Sequence, residues 1–243
     1  MNLDEVLPER QDIGLVIHAP ELFAGDHTLD LCSEDDSYRR HSIAELQRVV
    51  DISRDLRQRF DCADPVLLVT NVGGFSEHRH LDLQEKQPLR QRLLDGLQQI
   101  HTAGEVEIIP QTMPPYPWHF GGQRYHNLFV DPEFIQAFCG ETGMRVCLDV
   151  SHSKLACNHL HCSFSDFLSR ILPHTAHLHL ADASGVDGEG LQILDGEIDW
   201  VQLFALIQQH CPNASFIPEI WQGHKNRGEG AWLALERLER LAA

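Results

Sequence analysis

The sequence has no long apolar run and few positive charges. No stretch approaches the ~20 consecutive apolar residues that a membrane-spanning helix needs. The first residues are acidic and polar, so we expect neither a membrane span nor an export signal. Lys and Arg number 19 against 36 Asp and Glu, which gives a formal net charge of −17. A surface of this sign repels a phosphate backbone, and nucleic acid is therefore not an expected partner.

Linkers, internal repeats and low-complexity segments are also missing. The seven cysteines are an odd number and are scattered, which fits a reducing cytoplasm better than a disulfide framework. The 243 residues match the usual length of one α/β barrel. We therefore expect a single cytoplasmic domain that covers residues 1–243.

Short apolar runs alternate with helical stripes along the whole chain. The runs predict strands at residues 13–20, 65–71, 106–111, 144–149, 176–182 and 215–219. This alternation is typical of a parallel α/β sheet, and with this length it favours a TIM-type (β/α) barrel. A closed barrel has eight strand–helix units, and six are predicted here. Either a unit is missing at the amino end or the strand count is too low, and we expect the barrel to be incomplete at its amino end. The sequence leaves open whether a second copy, in a homodimer, supplies the missing part.

Local patterns predict where the helices begin. Ser42 and Glu45 have the spacing of a capping box. Ser165 and Asp199 each precede an apolar helical stripe, so they are predicted helix caps. The Gly- and Asp-rich residues 183–196 are expected to form a loop.

Polar side chains end three successive strands. Asp149, His179 and Glu219 lie at or near the carboxyl ends of their predicted strands, and His152 follows Asp149 by three residues. In parallel α/β folds these ends converge on one edge, where ligands and catalytic groups lie. Two carboxylates and one imidazole suit a divalent cation. The alternative is that they are helix caps and buried hydrogen-bond partners.

Several motifs resemble the xylose isomerase-like barrel superfamily, which contains sugar isomerases and epimerases and the type IV apurinic endonucleases. The similar segments are Cys147-Leu-Asp-Val-Ser-His152, His179-Leu-Ala-Asp182, Pro218-Glu219-Ile220 and His18-Ala-Pro20. The resemblance implies metal ligands at Gln111, Asp149, His179 and Glu219. Residues 114–123 and 187–192 resemble a subgroup found with bacterial surface-sugar biosynthesis of the sialic-acid type.

Gln111 departs from the superfamily pattern, which has a glutamate there. An amide carbonyl can coordinate a hard cation, but it carries no charge and cannot act as a base. The expected cofactor is therefore a divalent ion (Mn, Mg, Co or Zn) held more weakly than by a full carboxylate set.

The resemblance and the strand ends together assign expected roles. Glu219 is the expected base, and His152 is expected to orient or protonate a substrate oxygen. The expected substrate-binding residues are His18, Asn71, Trp118, Arg124, Asp187, Glu189 and Lys225. Trp118 and Arg124 lie in a loop, residues 112–126, that is too long for a simple connection. Its aromatic residues and glycines suit a lid, and a rigid proline-rich loop packed on the barrel is the alternative.

The predicted function is a metal-dependent isomerase or epimerase acting on a sugar or sugar phosphate. One alternative is an endonuclease-like phosphodiesterase, although that branch needs histidines where this chain has Asn71 and, nearby, Glu189. The other is a non-catalytic barrel that binds a sugar or a protein partner and has lost a metal ligand at Gln111.

Overall fold

A computed structural model describes residues 7, 9–61, 65–116 and 124–242. The chain divides into two compact units, each built of strands and helices. The first comprises Met1–Gly74 and Leu81–Pro110, and the second comprises Phe75–His80 and Gln111–Ala243. Among the described residues, no helix combines the length and the apolar character that a membrane crossing requires.

The first unit contains a parallel three-stranded sheet in the order β1-β4-β6. The strands of this unit are β1 (Val16–His18), β2 (Leu22–Phe23), β3 (His27–Thr28), β4 (Val66–Thr70) and β6 (Val106–Pro110). Helices α1 (Asp36–Arg57) and α2 (Leu83–Leu97) belong to the same unit. Leu46 and Val50 of α1 are fully buried, as are Leu68 and Val69 of β4. The helical stripe and the strand therefore supply the apolar core of this unit.

Helix α1 begins earlier than the capping-box pattern predicted. Its N-cap is Asp35, whose side chain accepts hydrogen bonds from the backbone N–H groups of Ser37 and Tyr38. The Ser42 cap was wrong, because Ser42 lies inside the helix and is fully buried. Its hydroxyl oxygen instead lies 2.9 Å from Nε2 of His27. The Ser42 hydroxyl thus forms a hydrogen bond with buried His27 and does not cap the helix.

The second unit is built around another parallel sheet, in the order β12-β9-β8. The strands of this unit are β5 (Phe75–Ser76), β7 (Tyr125–His126), β8 (Val146–Asp149), β9 (Thr175–Leu180), β10 (Asp182–Ser184), β11 (Gly188–Leu191) and β12 (Ser215–Pro218). Gln111 extends this sheet through an isolated parallel bridge to Cys147 of β8. The six main strands predicted from the sequence are therefore confirmed.

Helices follow the sheet strands of the second unit. They are α3 (Pro132–Thr142), α4 (Val150–Leu160), α5 (Phe164–Ile171), α6 (Trp200–His210) and α7 (Lys225–Ala242). Asp199 caps α6 as predicted. The cap of α5 is Ser163, two residues before the predicted Ser165. Both serines precede the same apolar stripe, so the pattern alone did not separate them.

The segment expected to be a loop contains a β-hairpin. Strands β10 and β11 pair antiparallel, and all of their residues except Asp182 lie within the predicted loop, residues 183–196. Asp182, the first residue of β10, is fully buried. It accepts hydrogen bonds from Trp200 Nε1 at 2.7 Å and from the backbone N–H groups of Ala183, Leu194 and Ile198 at 2.9–3.1 Å. The Asp182 carboxylate therefore orders the backbone of a segment that was predicted to be a loop.

Candidate metal centre

Strand register in the second unit brings the three predicted strand-end residues together. Asp149, the last residue of β8, pairs directly with His179 of β9. Glu219 directly follows β12, and its backbone N–H donates to the carbonyl oxygen of Leu180 at 3.0 Å. One ligand atom from each of Asp149, His179 and Glu219 lies within 4.8 Å of the other two. Asp149 and Glu219, far apart in the chain, therefore share one site with His179 because β8 and β12 both pair in parallel with β9.

The three side chains differ in their access to solvent. The side chains of Asp149 and His179 are only 4% and 5% exposed, whereas that of Glu219 is 53% exposed. Nδ1 of His179 lies 2.6 Å from Oε2 of Glu219 and 3.6 Å from Oδ2 of Asp149. Two donors are thus fixed in the interior, while the third faces the open side where a ligand enters.

Asp149 serves as both a helix cap and a site residue. Its Oδ1 accepts a hydrogen bond from the backbone N–H of His152 at 2.8 Å, at the start of α4. Its Oδ2 faces the site, 3.0 Å from Nε2 of Gln111. The backbone N–H of Asp149 donates to Thr112 Oγ1 at 2.9 Å, which fixes the strand end. The structural and functional interpretations of this residue are therefore compatible, since each uses a different oxygen.

Charge coupling sets the protonation of this group. Burial alone would raise the pKa of Asp149, but the positive charge of His152 and a hydrogen bond with His179 lower it to about 2. Burial opposes charge on His179 too. Its pKa is nevertheless well above the ordinary value, because Cys147, Asp149 and Glu219 favour the charged form. These shifts favour the carboxylate form of Asp149 and the charged form of His179, and a bound cation would replace the imidazole proton that faces the site.

Gln111 faces the same cluster with its amide. Nε2 lies 3.0 Å from Oδ2 of Asp149 and 3.2 Å from Nδ1 of His179. Rotation of the amide by a half turn would exchange its nitrogen for its carbonyl oxygen, which is a suitable donor for a divalent cation. Two carboxylates, one imidazole and one amide oxygen fit such an ion.

His152 occupies the wall beside this cluster. Its Nδ1 lies 3.1 Å from the carbonyl oxygen of Thr112 and 3.3 Å from Oδ2 of Asp149. Its Nε2 lies 3.7 Å from Oε2 of Glu189. Burial lowers the pKa of His152, but the negative charges of Asp149, Glu189 and Glu219 outweigh that effect and raise it. A charged imidazolium between carboxylates is suited to donating a proton or a hydrogen bond.

Of these groups, Asp149, His152, Glu189 and Glu219 line a cavity of about 390 Å³. Its lining residues are Asp149, Ser151, His152, Ala181, Glu189, Gly190, Glu219, Ile220, Trp221, Gln222 and His224. Ser151, Trp221 and Gln222 are additions that the sequence patterns did not predict. The one available signal was the position of Trp221, two residues after a strand-end glutamate.

Comparison with known families identifies the fold. A family model described as xylose isomerase-like TIM barrel matches residues 2–241. The chain belongs to this family. The expected fold class, a TIM-type α/β barrel, is thereby confirmed. A comparison with curated proteins gave no match.

Solved structures of the family share the fold at low identity. The IolI protein with a bound zinc atom superposes with a TM-score of 0.68 at 12% identity, over 99% of this chain and 81% of that chain. The D-psicose 3-epimerase of Clostridium cellulolyticum, solved with D-tagatose, gives 0.64 at 13% identity, over 96% and 78%. The 3-keto-D-glucoside 4-epimerase of E. coli gives 0.60 at 11% identity, over 95% and 78%.

Three other predicted substrate-binding residues lie outside the cavity lining. Arg124 lies over the Phe75 ring, with 5.9 Å between its guanidinium carbon and the ring centroid. Asp187 is exposed on the β10–β11 hairpin. Lys225 Nζ donates to Gln222 Oε1 at 3.0 Å. None of these described residues is part of the cavity lining. Their substrate-binding roles stay predictions.

The remaining predicted substrate residues lie outside the second unit or outside the described part of the chain. His18 ends β1, and its Nδ1 lies 2.7 Å from the carbonyl oxygen of Ala19. Asn71 is buried and donates from Nδ2 to Oε1 of Glu21. Trp118 lies outside the described residues. The roles of all three in binding a substrate stay predictions.

Proposed function

We propose that this protein is a metal-dependent isomerase or epimerase that acts on a carbohydrate. The observation that carries the proposal is the convergence of Asp149, His179 and Glu219 on one point, beside a cavity that Asp149 and Glu219 line. Family membership supports it, since the structural neighbours include a zinc-bound protein and two sugar epimerases. The identity of the ion, among Mn, Mg, Co and Zn, is left to experiment.

The residues of the cluster would hold the cation, and one of them would also act as the base. Asp149, His179, Glu219 and the carbonyl oxygen of Gln111 would hold the cation. When bound, the cation would polarise a sugar carbonyl and so acidify the adjacent C–H bond. Glu219 is the candidate base, because its carboxylate is half-exposed and faces the cavity. It would remove the proton from the carbon next to the carbonyl.

His152 is the second candidate for proton movement. Its Nε2 faces the cavity, while its Nδ1 is held by Thr112 and Asp149. It would donate a hydrogen bond or a proton to a substrate oxygen. Gln111 cannot move a proton, so Glu219 and His152 would have to carry proton transfer at this cluster. Return of the proton by Glu219 to the neighbouring carbon, with a proton moved between the two oxygens, would give an isomer. An epimer would require a second group to deliver a proton to the opposite face of the same carbon, and His152 is the candidate for that role.

The test compares metal-free and reconstituted protein. Protein treated with a chelator and then dialysed against Mn²⁺ is incubated with uncharged ketohexoses and with their phosphate esters, and products are identified by NMR. We expect conversion by the reconstituted protein alone. The E219Q variant should lose at least about a hundredfold in rate, within the range for an acid–base group. E239Q, an exposed change on α7, is the matched control and should keep full activity. Absence of any conversion by the reconstituted wild-type protein would contradict the proposal.

A specific observation favours a second candidate, a barrel that works without a cation. The amide nitrogen of Gln111 already donates a hydrogen bond to Asp149 and lies beside His179, and a cation would displace it from this position. Such a protein would bind a sugar or a partner without converting it. Thermal unfolding separates the two candidates: an ion that binds the folded protein raises the Tm, and added Mn²⁺ would leave the Tm of a metal-free module unchanged.

Further features of the expected function stay predictions. These are a role in bacterial surface-sugar biosynthesis, a cytoplasmic location, a homodimer and a single domain over residues 1–243. The endonuclease alternative has no observation of its own in the structure. A gel-shift assay with abasic DNA would detect it, and we expect no retention because the chain carries a formal charge of −17.

A further inference from the structure

One wall of the cavity is formed by two segments that the backbone ties together. The β10–β11 hairpin carries Glu189 and Gly190, and the segment after β12 carries Trp221. The backbone N–H of Trp221 donates to the carbonyl oxygen of Gly190 at 2.8 Å. The N–H of Gly190 donates to Ser151 Oγ at 3.0 Å. Glu189 and Trp221 are therefore held at fixed positions in the same wall.

Gly190 makes this close approach feasible. Its φ of +67° is in the left-handed region, and a Cβ at this position would lie 3.1 Å from the backbone nitrogen of Trp221 and 3.2 Å from its Cβ. Glycine avoids both the backbone strain and the steric conflict. The wall is consequently a built feature of the site.

Trp221 presents an apolar surface to this polar cavity. The residue is 70% exposed although it lines the cavity. Indole rings combine a large apolar face with a single N–H donor, and such surfaces pack against the C–H face of a sugar. An exposed aromatic side chain beside a candidate catalytic centre is thus suited to binding a carbohydrate.

The charge of the cavity discriminates between kinds of sugar. Three carboxylates, those of Asp149, Glu189 and Glu219, line it. Among the described lining residues the basic groups are histidines, and neither lysine nor arginine is present. Lys225, an expected substrate-binding residue, instead donates a hydrogen bond to Gln222. With Asp149 and Glu219 assigned to hold the cation, Glu189 is the lining carboxylate left to accept a hydrogen bond from a hydroxyl group, and its charge would repel a phosphate group placed beside it.

Resting on the function proposed above, we infer that the substrate is an uncharged, polyhydroxylated sugar and not a sugar phosphate. The indole of Trp221 packs against the C–H face of the sugar. The carboxylate of Glu189 accepts a hydrogen bond from one of its hydroxyl groups. The 3.7 Å gap between Glu189 Oε2 and His152 Nε2 allows one sugar oxygen to contact both groups.

The test measures binding as well as turnover. Mn²⁺-loaded protein is titrated calorimetrically with fructose, tagatose and psicose, and then with the terminal phosphate esters of the same sugars. We expect at least one free sugar to bind about tenfold more tightly than its ester, a difference of about 1.4 kcal/mol. E189K should reverse this preference by exchanging the sign of one charge in the wall.

Matched variants locate the contacts. W221A should weaken sugar binding about tenfold, whereas W232A, which removes a tryptophan of similar exposure on α7, should leave it unchanged. E189Q should weaken binding, and E239Q, the exposed change on α7, should not. Circular dichroism spectra of all four variants should match that of the wild-type protein, since each changed side chain is exposed or half-buried.

The outcomes separate this inference from the proposed function. Tighter binding and conversion of the phosphate esters would overturn the inference and leave the isomerase proposal intact. Binding of a free sugar that depends on Trp221 but gives no conversion would overturn the isomerase proposal and leave the inference standing. The inference would also be overturned if none of the sugars bound, or if W221A and E189Q bound them as tightly as the wild-type protein does.

Discussion

The amide nitrogen of Gln111 lies 3.0 Å from Oδ2 of Asp149, in the interior of the candidate metal centre. Both side chains are almost completely buried. A neutral donor therefore contacts the carboxylate where the resemblance to sugar isomerases implied a second carboxylate. An amide in place of a carboxylate lowers the negative charge of the site and removes one base from it.

Restoring a carboxylate at this position should strengthen metal binding. We expect Q111E to bind Mn²⁺ about tenfold or more tightly than the wild-type protein, because a charged ligand replaces a dipole. Without metal the same variant should unfold at a lower temperature, since another negative charge joins Asp149 and Glu219. Calorimetric titration and thermal unfolding measure the two effects.

Q99E, on the exposed surface after α2, adds the same charge elsewhere and is the control. It should change neither the affinity for Mn²⁺ nor the unfolding temperature by a comparable amount. An affinity of Q111E equal to that of the wild-type protein would show that position 111 is not a ligand.

Asp182 should contribute strongly to stability. D182A leaves the indole N–H of Trp200 and three backbone N–H groups without their acceptor in a buried environment. We expect the free energy of unfolding to fall by about 3 kcal/mol or more, and by less in D182N, which keeps one acceptor oxygen. Urea unfolding measures both. D187N, an exposed change on the hairpin, should shift stability by less than about 0.5 kcal/mol.

The packing of Gly190 against Trp221 can be separated from its backbone conformation. G190A and G185A both place a side chain at a positive φ, of +67° and +64°, but only the Cβ at position 190 meets Trp221. We expect G185A to lower stability by about 1 kcal/mol and G190A by about 1–3 kcal/mol more, because of overpacking. Urea unfolding checks the difference. Equal effects of the two variants would show that the hairpin shifts freely.

Stability should depend on pH through His27. Burial and the nearby charge of His41 lower the pKa of His27, and Glu45 only partly offsets this. The unfolded chain, with a pKa near 6.5, therefore binds more protons than the folded protein just below that pH. Stability from this group is full above about pH 6.5 and is lost as the pH falls through that value towards the lower folded pKa.

The measurement is urea unfolding across about pH 5 to 8. H27N should flatten the acidic side of the stability profile, whereas H78N, at an exposed position, should leave its slope unchanged. An identical slope in H27N would assign the loss of stability at acidic pH to other groups.

Much of the site could be predicted because parallel strands impose a simple rule. Apolar runs ending in Asp149, His179 and Glu219 indicated where the strands stop, and neighbouring strands in register place their ends together. The helix caps at Asp35 and Ser163 were missed for a different reason. Several polar residues near a helix start can serve as caps, and packing of the whole helix selects among them.

The cavity wall formed by the β10–β11 hairpin could not be predicted from sequence patterns. Residues 183–196 are rich in glycine and aspartate, a composition that predicts a loop. The hairpin forms there because buried Asp182 gathers its hydrogen-bond donors and because Gly190 approaches Trp221. Neither contact has a fixed spacing in the sequence.

The sequence by itself determined the alternation of strands and helices, the polar residues at three strand ends and the missing charge at Gln111. Hydrophobic periodicity and residue chemistry are local properties, and they can be deduced without coordinates. Only the tertiary structure decided that Glu189 and Trp221 share a cavity with Glu219 and that Asp149 uses one oxygen for a helix and the other for the site. Such contacts join residues far apart in the chain, and they exist only once the sheet register and the hairpin are formed.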